Sequence, residues 1–203
     1  MDKSYLRIRN FLGLLGVLLP VIAVIGTFIS PYRALPGCYN SISVTYFSTP
    51  VLIAILSSVA FFFLCYRSYS VLDMIINTIS GISALGVVMF PCSCPWLEEG
   101  TKVGMFYLPI EISAIPHVIF AGILFASMAA NIMLMFTKGT NKTKNIIYYI
   151  SGSLLLLSLL LLVLGNIFNW TWDFIIVFES TGLFFFGISW LVKGHVFDKF
   201  IGE

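Results

Sequence analysis

A carboxylate and an imidazole lie within apolar segments of this sequence, where either could do chemistry. Glu179 lies about six residues into the last apolar segment, and His117 follows Pro116 near the start of the fourth. A carboxylate is costly in hydrocarbon, so such a residue usually faces the interior of a helix bundle and has partners. A carboxylate beside His117 would also fix the tautomer of the imidazole. Either the two residues belong to a binding site, or Glu179 locks helices together and a carbonyl or water satisfies His117.

A hydroxyl-rich segment precedes the second apolar segment. Residues 41–49 read SISVTYFST, and they fall on the same predicted side of the membrane as the two ionisable residues. Their hydroxyl groups either cap the following helix and hydrate the interface, or line an outward-facing polar pocket. The candidate pocket residues are Ser41, Ser43, Tyr46, His117 and Glu179.

Three of the four cysteines, Cys38, Cys92 and Cys94, fall on the predicted outer side. Outside the cytoplasm a disulfide is the ordinary use of paired cysteines, so we expect Cys38 to be bridged to Cys92 or Cys94. A zinc site made of the three cysteines and His117 has an allowed ligand set. The C-x-C spacing lacks the usual two-residue gap, however, so we predict no metal site.

The common catalytic motifs are missing from the sequence. It has no glycine-rich phosphate loop, no H-E-x-x-H and no G-x-S-x-G. No complete catalytic or metal-ligand set is visible and no cofactor is implied. The sequence therefore leaves open whether the protein is an enzyme.

The segments that must position these residues are long and apolar. The chain is 59% hydrophobic and 10% charged, whereas a soluble domain has about 25% charged residues. A helix needs about 20 apolar residues to cross a hydrocarbon core about 30 Å thick. These features predict an all-α fold, a single domain over residues 1–203 that forms a bundle of six transmembrane helices. The predicted helices are 11–29, 50–66, 74–90, 115–136, 146–168 and 174–192.

Lysine and arginine predict the orientation of this bundle, because short cytoplasmic loops are rich in both. With the N-terminus inside, only Arg33 and Lys102 fall outside. The nine that fall in the cytoplasm are Lys3, Arg7, Arg9, Arg67, Lys138, Lys142, Lys144, Lys193 and Lys199. The asymmetry predicts both termini in the cytoplasm and an even number of spans. The expected location is the bacterial cytoplasmic membrane.

Small residues predict where the helices touch, because transmembrane helices associate through close packing. Gly81 and Ala84 mark one face of the third helix, and small residues recur at every fourth position from Gly122 to Ala130 in the fourth. The leucine-rich stretch 154–164 has no such series of small residues. We therefore expect the fifth helix to be the most exposed to lipid.

Three stretches carry a resemblance to a known group. They are Ser41 to Thr49 with the following helix, the stretch ending SGISALGVVMFPC, and Glu179 to Gly194, which reads ESTGLFFFGISWLVKG. Together they cover about a third of the chain and resemble small bacterial membrane proteins of the DUF998-like kind. In that group the first stretch commonly reads S-I-S-x-Y-Y-H-T.

That serine–histidine spacing is similar to the second-helix motif of the ceramidase and adiponectin-receptor-like membrane hydrolases. Ser43 matches the serine, and Phe47 stands where the histidine would be. Phenylalanine cannot ligate zinc. The resemblance therefore implies the fold, and implies Ser43, His117 and Glu179 as positions to test, without implying a reaction.

The leading functional prediction is a membrane protein that binds a lipid headgroup or small polar ligand in an outward-facing pocket. One alternative is a degenerate or unusual membrane lipid hydrolase. Another is a transporter or channel subunit with Glu179 on its pathway. Membrane lipids are the expected partners, and the net charge of +2 is too small to indicate nucleic acid. The sequence leaves a homo-oligomer open.

Overall fold

The computed structural model describes residues 3–170 and 173–201, and this part of the chain is mostly helical. Six long helices are followed by a short one, and a two-stranded hairpin lies between the third and fourth. The helices are α1 (Lys3–Ile29), α2 (Val51–Cys65), α3 (Val71–Met89), α4 (Ile110–Ala130), α5 (Lys142–Ile167), α6 (Asp173–Lys193) and α7 (Asp198–Ile201). The strands are β1 (Lys102–Val103) and β2 (Leu108–Pro109).

Five of the described helices are long and apolar enough to cross a membrane: α1, α3, α4 with its continuation to Lys138, α5 and α6. The exception among the six is α2, which is apolar but has only 15 residues. At 1.5 Å per residue it is about 22 Å long, less than the thickness of the hydrocarbon core. The predicted all-α fold is confirmed, although α1 begins at Lys3 rather than at residue 11. The number of crossings stays a prediction.

The long helices form a closed ring in chain order. Each packs against the next one along the chain, and α6 returns to pack along α1. Short connections between antiparallel helices favour this arrangement. Large aromatic side chains fill the interior, and Phe63, Phe186 and Trp190 are at most 1% exposed. The rings of Phe63 and Trp190 meet edge to face, with centroids 6.0 Å apart.

Glycine allows α1 and α6 to approach closely. A Cβ atom on Gly187 would lie 2.6 Å from the carbonyl oxygen of Gly13 and 2.6 Å from the amide nitrogen of Val17. Both of these are backbone atoms, which cannot move aside without shifting a helix. Contact between the first and last long helices therefore requires the absence of a side chain at Gly187.

The small-residue predictions have different outcomes in α3 and α4. Gly81 is buried, and a Cβ there would lie 3.0 Å from the carbonyl oxygen of Ala60 in α2, so the α3 prediction is confirmed. The α4 prediction is wrong, because a Cβ on Gly122 would meet nothing within 4 Å and Ala126 is exposed. In α5 28% of the apolar stretch is buried, against 39–50% in the other four spans, so α5 is the most exposed of the five.

A chain of polar side chains joins α3 to the end of α4. Asn77 donates to the carboxylate of Asp73 at 2.8 Å, and Asn131 donates to the side-chain oxygen of Asn77. The nitrogen of the Asn77 amide thus faces Asp73, and its oxygen faces the amide of Asn131. Asn131 begins a π-helical turn, Asn131–Met135, that continues α4. This buried chain fixes how the two helices meet.

Candidate functional site

Glu179 of α6 is partly buried and reaches the segment that precedes α2. Its Oε2 accepts the backbone N–H of Ile42 at 2.5 Å, and its Oε1 accepts the hydroxyl of Ser43 at 3.0 Å. Two parts of the predicted pocket, the hydroxyl-rich segment and Glu179, therefore lie together in the structure.

Local hydrogen bonds give the hydroxyl-rich segment its shape. Ser43–Phe47 forms a 3₁₀ helix, and the hydroxyl of Ser41 accepts the N–H of Val44 at 3.0 Å near its start. Ser41 is 4% exposed, whereas Tyr46 lies half-buried in the same short helix. Ser41 thus shapes the segment that Glu179 holds, and Tyr46 lies within that segment.

His117 has a different set of partners. Its Nδ1 donates to the carbonyl of Phe90 at 2.7 Å, and Ser113, one turn earlier, donates to the carbonyl of Pro91 at 2.9 Å. These bonds satisfy carbonyl groups at the end of α3 that have no partner within the helix. No hydrogen bond among the described residues joins His117 to Glu179, and α4 and α6 share few contacts. A backbone carbonyl thus satisfies Nδ1 of His117, whose role in a binding site stays a prediction.

The outer cysteines are buried thiols in this structure. Cys38, Cys92 and Cys94 are all free, and Cys38 donates to the carbonyl of Arg33 at 3.4 Å, so the predicted disulfide is absent. Burial raises the pKa of the Cys92 thiol, and the carboxylate of Glu179 nearby raises it further. Cys92 is therefore a neutral, unreactive thiol. Within residues 3–170 and 173–201, no three His, Cys, Asp or Glu side chains are grouped to hold a metal ion.

Several polar groups near the start of α2 lack partners. Among the described residues, the hydroxyl oxygens of Thr27, Ser48 and Thr49 are buried without a hydrogen-bond partner. The N-cap residue of α2 is Pro50, whose side chain accepts no hydrogen bond from the first backbone N–H groups of the helix. The first N–H groups of a helix have no partner within the helix. Because buried polar groups are normally satisfied by protein or ordered water, this region is suited to a polar occupant.

A cavity of about 310 Å³ opens at the end of α6 opposite to Glu179. Its basic side chains are Arg9 of α1, Lys144 of α5, Lys193 of α6 and His195, and we call it the basic cavity. None of the described residues that line it is acidic. Sequence reasoning missed this cavity. The charge asymmetry put three of these residues on one side of the membrane, but no spacing signal showed that they converge.

Arg9 connects three parts of the bundle at this cavity. Its guanidinium donates to the hydroxyl of Tyr66 at 3.0 Å, to the hydroxyl of Tyr69 at 2.9 Å and to the carbonyl of Lys193 at 3.3 Å. Arg9 thereby joins α1 to the α2–α3 connection and to the end of α6.

No protein-family model, no curated protein and no solved structure matches the chain. The class of protein follows from the fold itself. Five described helices are able to span a membrane, and large apolar side chains such as Phe28, Ile115 and Val177 face outward. These features define a multi-pass integral membrane protein. The resemblance to DUF998-like proteins and to the membrane hydrolases stays a prediction.

Proposed function

We propose that the protein crosses the bacterial cytoplasmic membrane six times with both termini in the cytoplasm, and that it binds a lipid headgroup or small polar ligand at its outward-facing end. Contacts between residues predicted to be cytoplasmic support the topology. The hydroxyl of Tyr5 donates to the carbonyl of Arg67 at 2.6 Å, and Lys144 pairs with Asp198 at 2.9 Å. The ends of α1, α2, α5 and α6 that meet here are those predicted to share one side.

One observation carries the binding proposal. Neutral hydrogen-bond donors hold the carboxylate of Glu179 near the predicted outer end of α6. A carboxylate has about four acceptor positions, and two donors, the N–H of Ile42 and the hydroxyl of Ser43, occupy Glu179. About two acceptor positions therefore remain for a ligand. An acceptor-rich site of this kind suits a group with N–H or O–H donors, such as the amine or hydroxyl of a lipid headgroup.

The interruption of the second apolar segment supports this location. The 15-residue helix α2 is too short to cross the hydrocarbon alone, so in the proposed six-span arrangement the preceding 3₁₀ helix Ser43–Phe47 completes the second crossing. Irregular backbone at membrane depth is tolerated where protein buries it or where it lines a cavity. Short or interrupted helices mark binding sites in many transporters. The interruption here coincides with Glu179 and with the unpartnered hydroxyl groups of Ser48 and Thr49.

The same interruption favours a second candidate function, a transporter with Glu179 on its pathway. Inverted or interrupted helices supply the substrate sites of secondary transporters. Uptake of the ligand into sealed liposomes, abolished by Glu179→Gln, would favour transport over simple binding.

Lipids that co-purify with the protein test the binding proposal. Wild type, Glu179→Gln and a control, Glu111→Gln, are purified in one detergent, and bound lipid is measured by mass spectrometry. Glu111 is an exposed glutamate on the same predicted side, where it accepts the N–H of Gly100 at 3.1 Å. We expect wild type and the control to retain a headgroup class that Glu179→Gln loses. Equal retention by all three proteins would refute the proposed site, and released fatty acid would indicate the hydrolase alternative instead.

A further inference from the structure

The turn of the β1–β2 hairpin carries three consecutive exposed large side chains. Met105 is 72% exposed, Phe106 is 51% exposed and Tyr107 is 70% exposed. They belong to residues 104–107, which connect the two strands and which we call the hairpin tip. Single exposed apolar residues are normal on a protein, but a continuous run of them usually marks an interaction surface. The hairpin tip is therefore a candidate for such a surface.

The end of α3 holds the hairpin tip in place. The N–H of Met105 donates to the carbonyl of Met89 at 3.2 Å. The ring of Phe106 stacks on that of Phe90, with centroids 4.9 Å apart. Gly104 has a φ of 71°, and a Cβ atom there would lie 2.7 Å from the carbonyl oxygen of Met89, so glycine is needed for this close approach. The exposed side chains are thus presented by an anchored turn.

The hairpin tip is directed back along α4 toward the membrane. The open end of the hairpin lies at the start of α4, where the N–H of Ile110 donates to the carbonyl of Thr101 at 2.9 Å. His117 of α4 bonds to the carbonyl of Phe90. At 1.5 Å per residue, the rise from Ile110 to His117 is about 10 Å, so α4 begins about that far beyond the end of α3. Because the tip contacts Met89 and Phe90, it returns toward the bilayer by a similar distance.

The surface beside the hairpin tip is that of a helix able to span the membrane. In the first turns of α4, Ile112 is 50% exposed, Ile115 is 64% exposed and Val118 is 66% exposed. Large apolar side chains on the outside of a membrane span face lipid. The ring of Phe90 also stacks on that of Phe120, with centroids 5.9 Å apart, so aromatic contact continues from the tip to α4. The hairpin tip therefore lies at the depth of residues that face lipid.

The side chains and the backbone of the tip both suit the boundary between hydrocarbon and water. Tyrosine is concentrated at this boundary, and a lysine there extends its ammonium to the headgroups. The Nζ atom of Lys102 lies over the ring of Tyr107, 5.7 Å from the centroid. The N–H of Tyr107 donates to the carbonyl of Gly104 at 3.3 Å, and that of Met105 is bonded to α3. Irregular backbone is costly near hydrocarbon unless such bonds satisfy it.

From the exposed run, its attachment to α3 and its continuity with α4, we infer that the hairpin tip inserts into the adjacent lipid leaflet and anchors the α3–α4 connection there. The partner is the lipid surface itself. Acyl chains meet Met105 and Phe106, and headgroup phosphates meet the ammonium of Lys102. The leaflet is the outer one in the proposed topology, and the inference rests on that proposal only for the identity of the leaflet.

Nitroxide labels on introduced cysteines test the depth of the tip. The full-length protein is reconstituted into nanodiscs of phosphatidylethanolamine and phosphatidylglycerol. Met105→Cys places a label at the tip, Glu99→Cys is the matched control at an exposed position of the same loop, and Val118→Cys is the lipid-facing reference. The background is Cys65→Ser, because Cys65 is exposed whereas the other cysteines are buried. This background, treated with the same reagent, must give no signal.

The accessibility of each label to oxygen, which concentrates in lipid, is compared with its accessibility to a water-soluble nickel chelate by EPR power saturation. We expect the oxygen-to-nickel ratio at Met105 to be several-fold higher than at Glu99 and close to that at Val118. An equal ratio at Met105 and Glu99 would overturn the inference. Dipolar broadening between labels at Met105 would also overturn it, because a second copy of the chain would then cover the tip. Nanodiscs expose both faces of the membrane, so the ratio does not depend on which face is outside, and failure of the proposed topology is distinguishable from failure of the anchor.

Discussion

The carboxylate of Glu179 fastens the segment before α2 to α6, so Glu179→Leu is expected to destabilise the protein by about 1–3 kcal/mol. Leucine removes both acceptor oxygens and leaves the N–H of Ile42 and the hydroxyl of Ser43 without their partner. Ile42 is 2% exposed, so its N–H cannot turn to water, and a buried unsatisfied donor costs about 1–3 kcal/mol. The partly exposed Ser43 hydroxyl can rotate toward water and adds little.

Glu179→Gln should behave differently at the same position. The amide oxygen can accept the N–H of Ile42, while the amide nitrogen can donate to the hydroxyl oxygen of Ser43, which then acts as the acceptor. Both hydrogen bonds persist, so the expected loss of stability is below about 1 kcal/mol. The two substitutions together separate the hydrogen-bonding role of Glu179 from its charge.

Thermal unfolding of the purified variants in one detergent measures the difference. For a protein of this size, about 1 kcal/mol corresponds to about 2–4 °C in melting temperature. Glu179→Leu should therefore melt about 2–12 °C below wild type, and Glu179→Gln should lose less than the leucine variant does. The reasoning is refuted if the leucine variant is as stable as wild type, or if both variants lose the same stability.

Two further predictions concern packing and pH. Gly187→Ala should cost about 1–3 kcal/mol because its Cβ would meet backbone atoms at 2.6 Å, while Gly122→Ala, which meets nothing within 4 Å, should be neutral or stabilising in the same melting assay. Burial raises the pKa of Asp198, but hydrogen bonds from Lys144 and His195 lower it more, to a value below its usual 3.8. The resulting stability is present above pH 3.8 and is lost as pH falls through the lower folded value, so Asp198→Asn should reduce this acid-dependent loss in melting temperature measured against pH. An unchanged pH profile in Asp198→Asn would contradict the assignment.

The helices could be predicted from the sequence because a long apolar run in a membrane has few other conformations. The last long helix, Asp173–Lys193, nearly matches the predicted range 174–192. Hydropathy could not predict the start of α1, because residues 3–10 include polar and basic side chains that continue the helix. Hydropathy also could not predict the β1–β2 hairpin, since each strand has only two residues.

The candidate sites differ in how far the sequence could predict them. An intramembrane carboxylate requires partners, so the sequence pointed from Glu179 to the hydroxyl groups around Ser43. The partner of His117 is the backbone carbonyl of Phe90, and every residue has such a group, so no sequence pattern marks it. The basic cavity combines Arg9 and Lys193 from opposite ends of the chain. Only closure of the helix ring, through the glycine contact of α1 with α6, brings them together.

Topology tests the central claim most directly, because the proposed outward-facing site requires Glu179 and the basic cavity to lie toward opposite faces of the membrane. A reporter that is active only in the cytoplasm is inserted in turn within 138–144, beside the basic cavity, and within 98–102, in the loop between α3 and α4. The account predicts activity at the first position and none at the second. Activity within 98–102 would contradict the six-span arrangement and place the Glu179 site on the wrong side of the membrane.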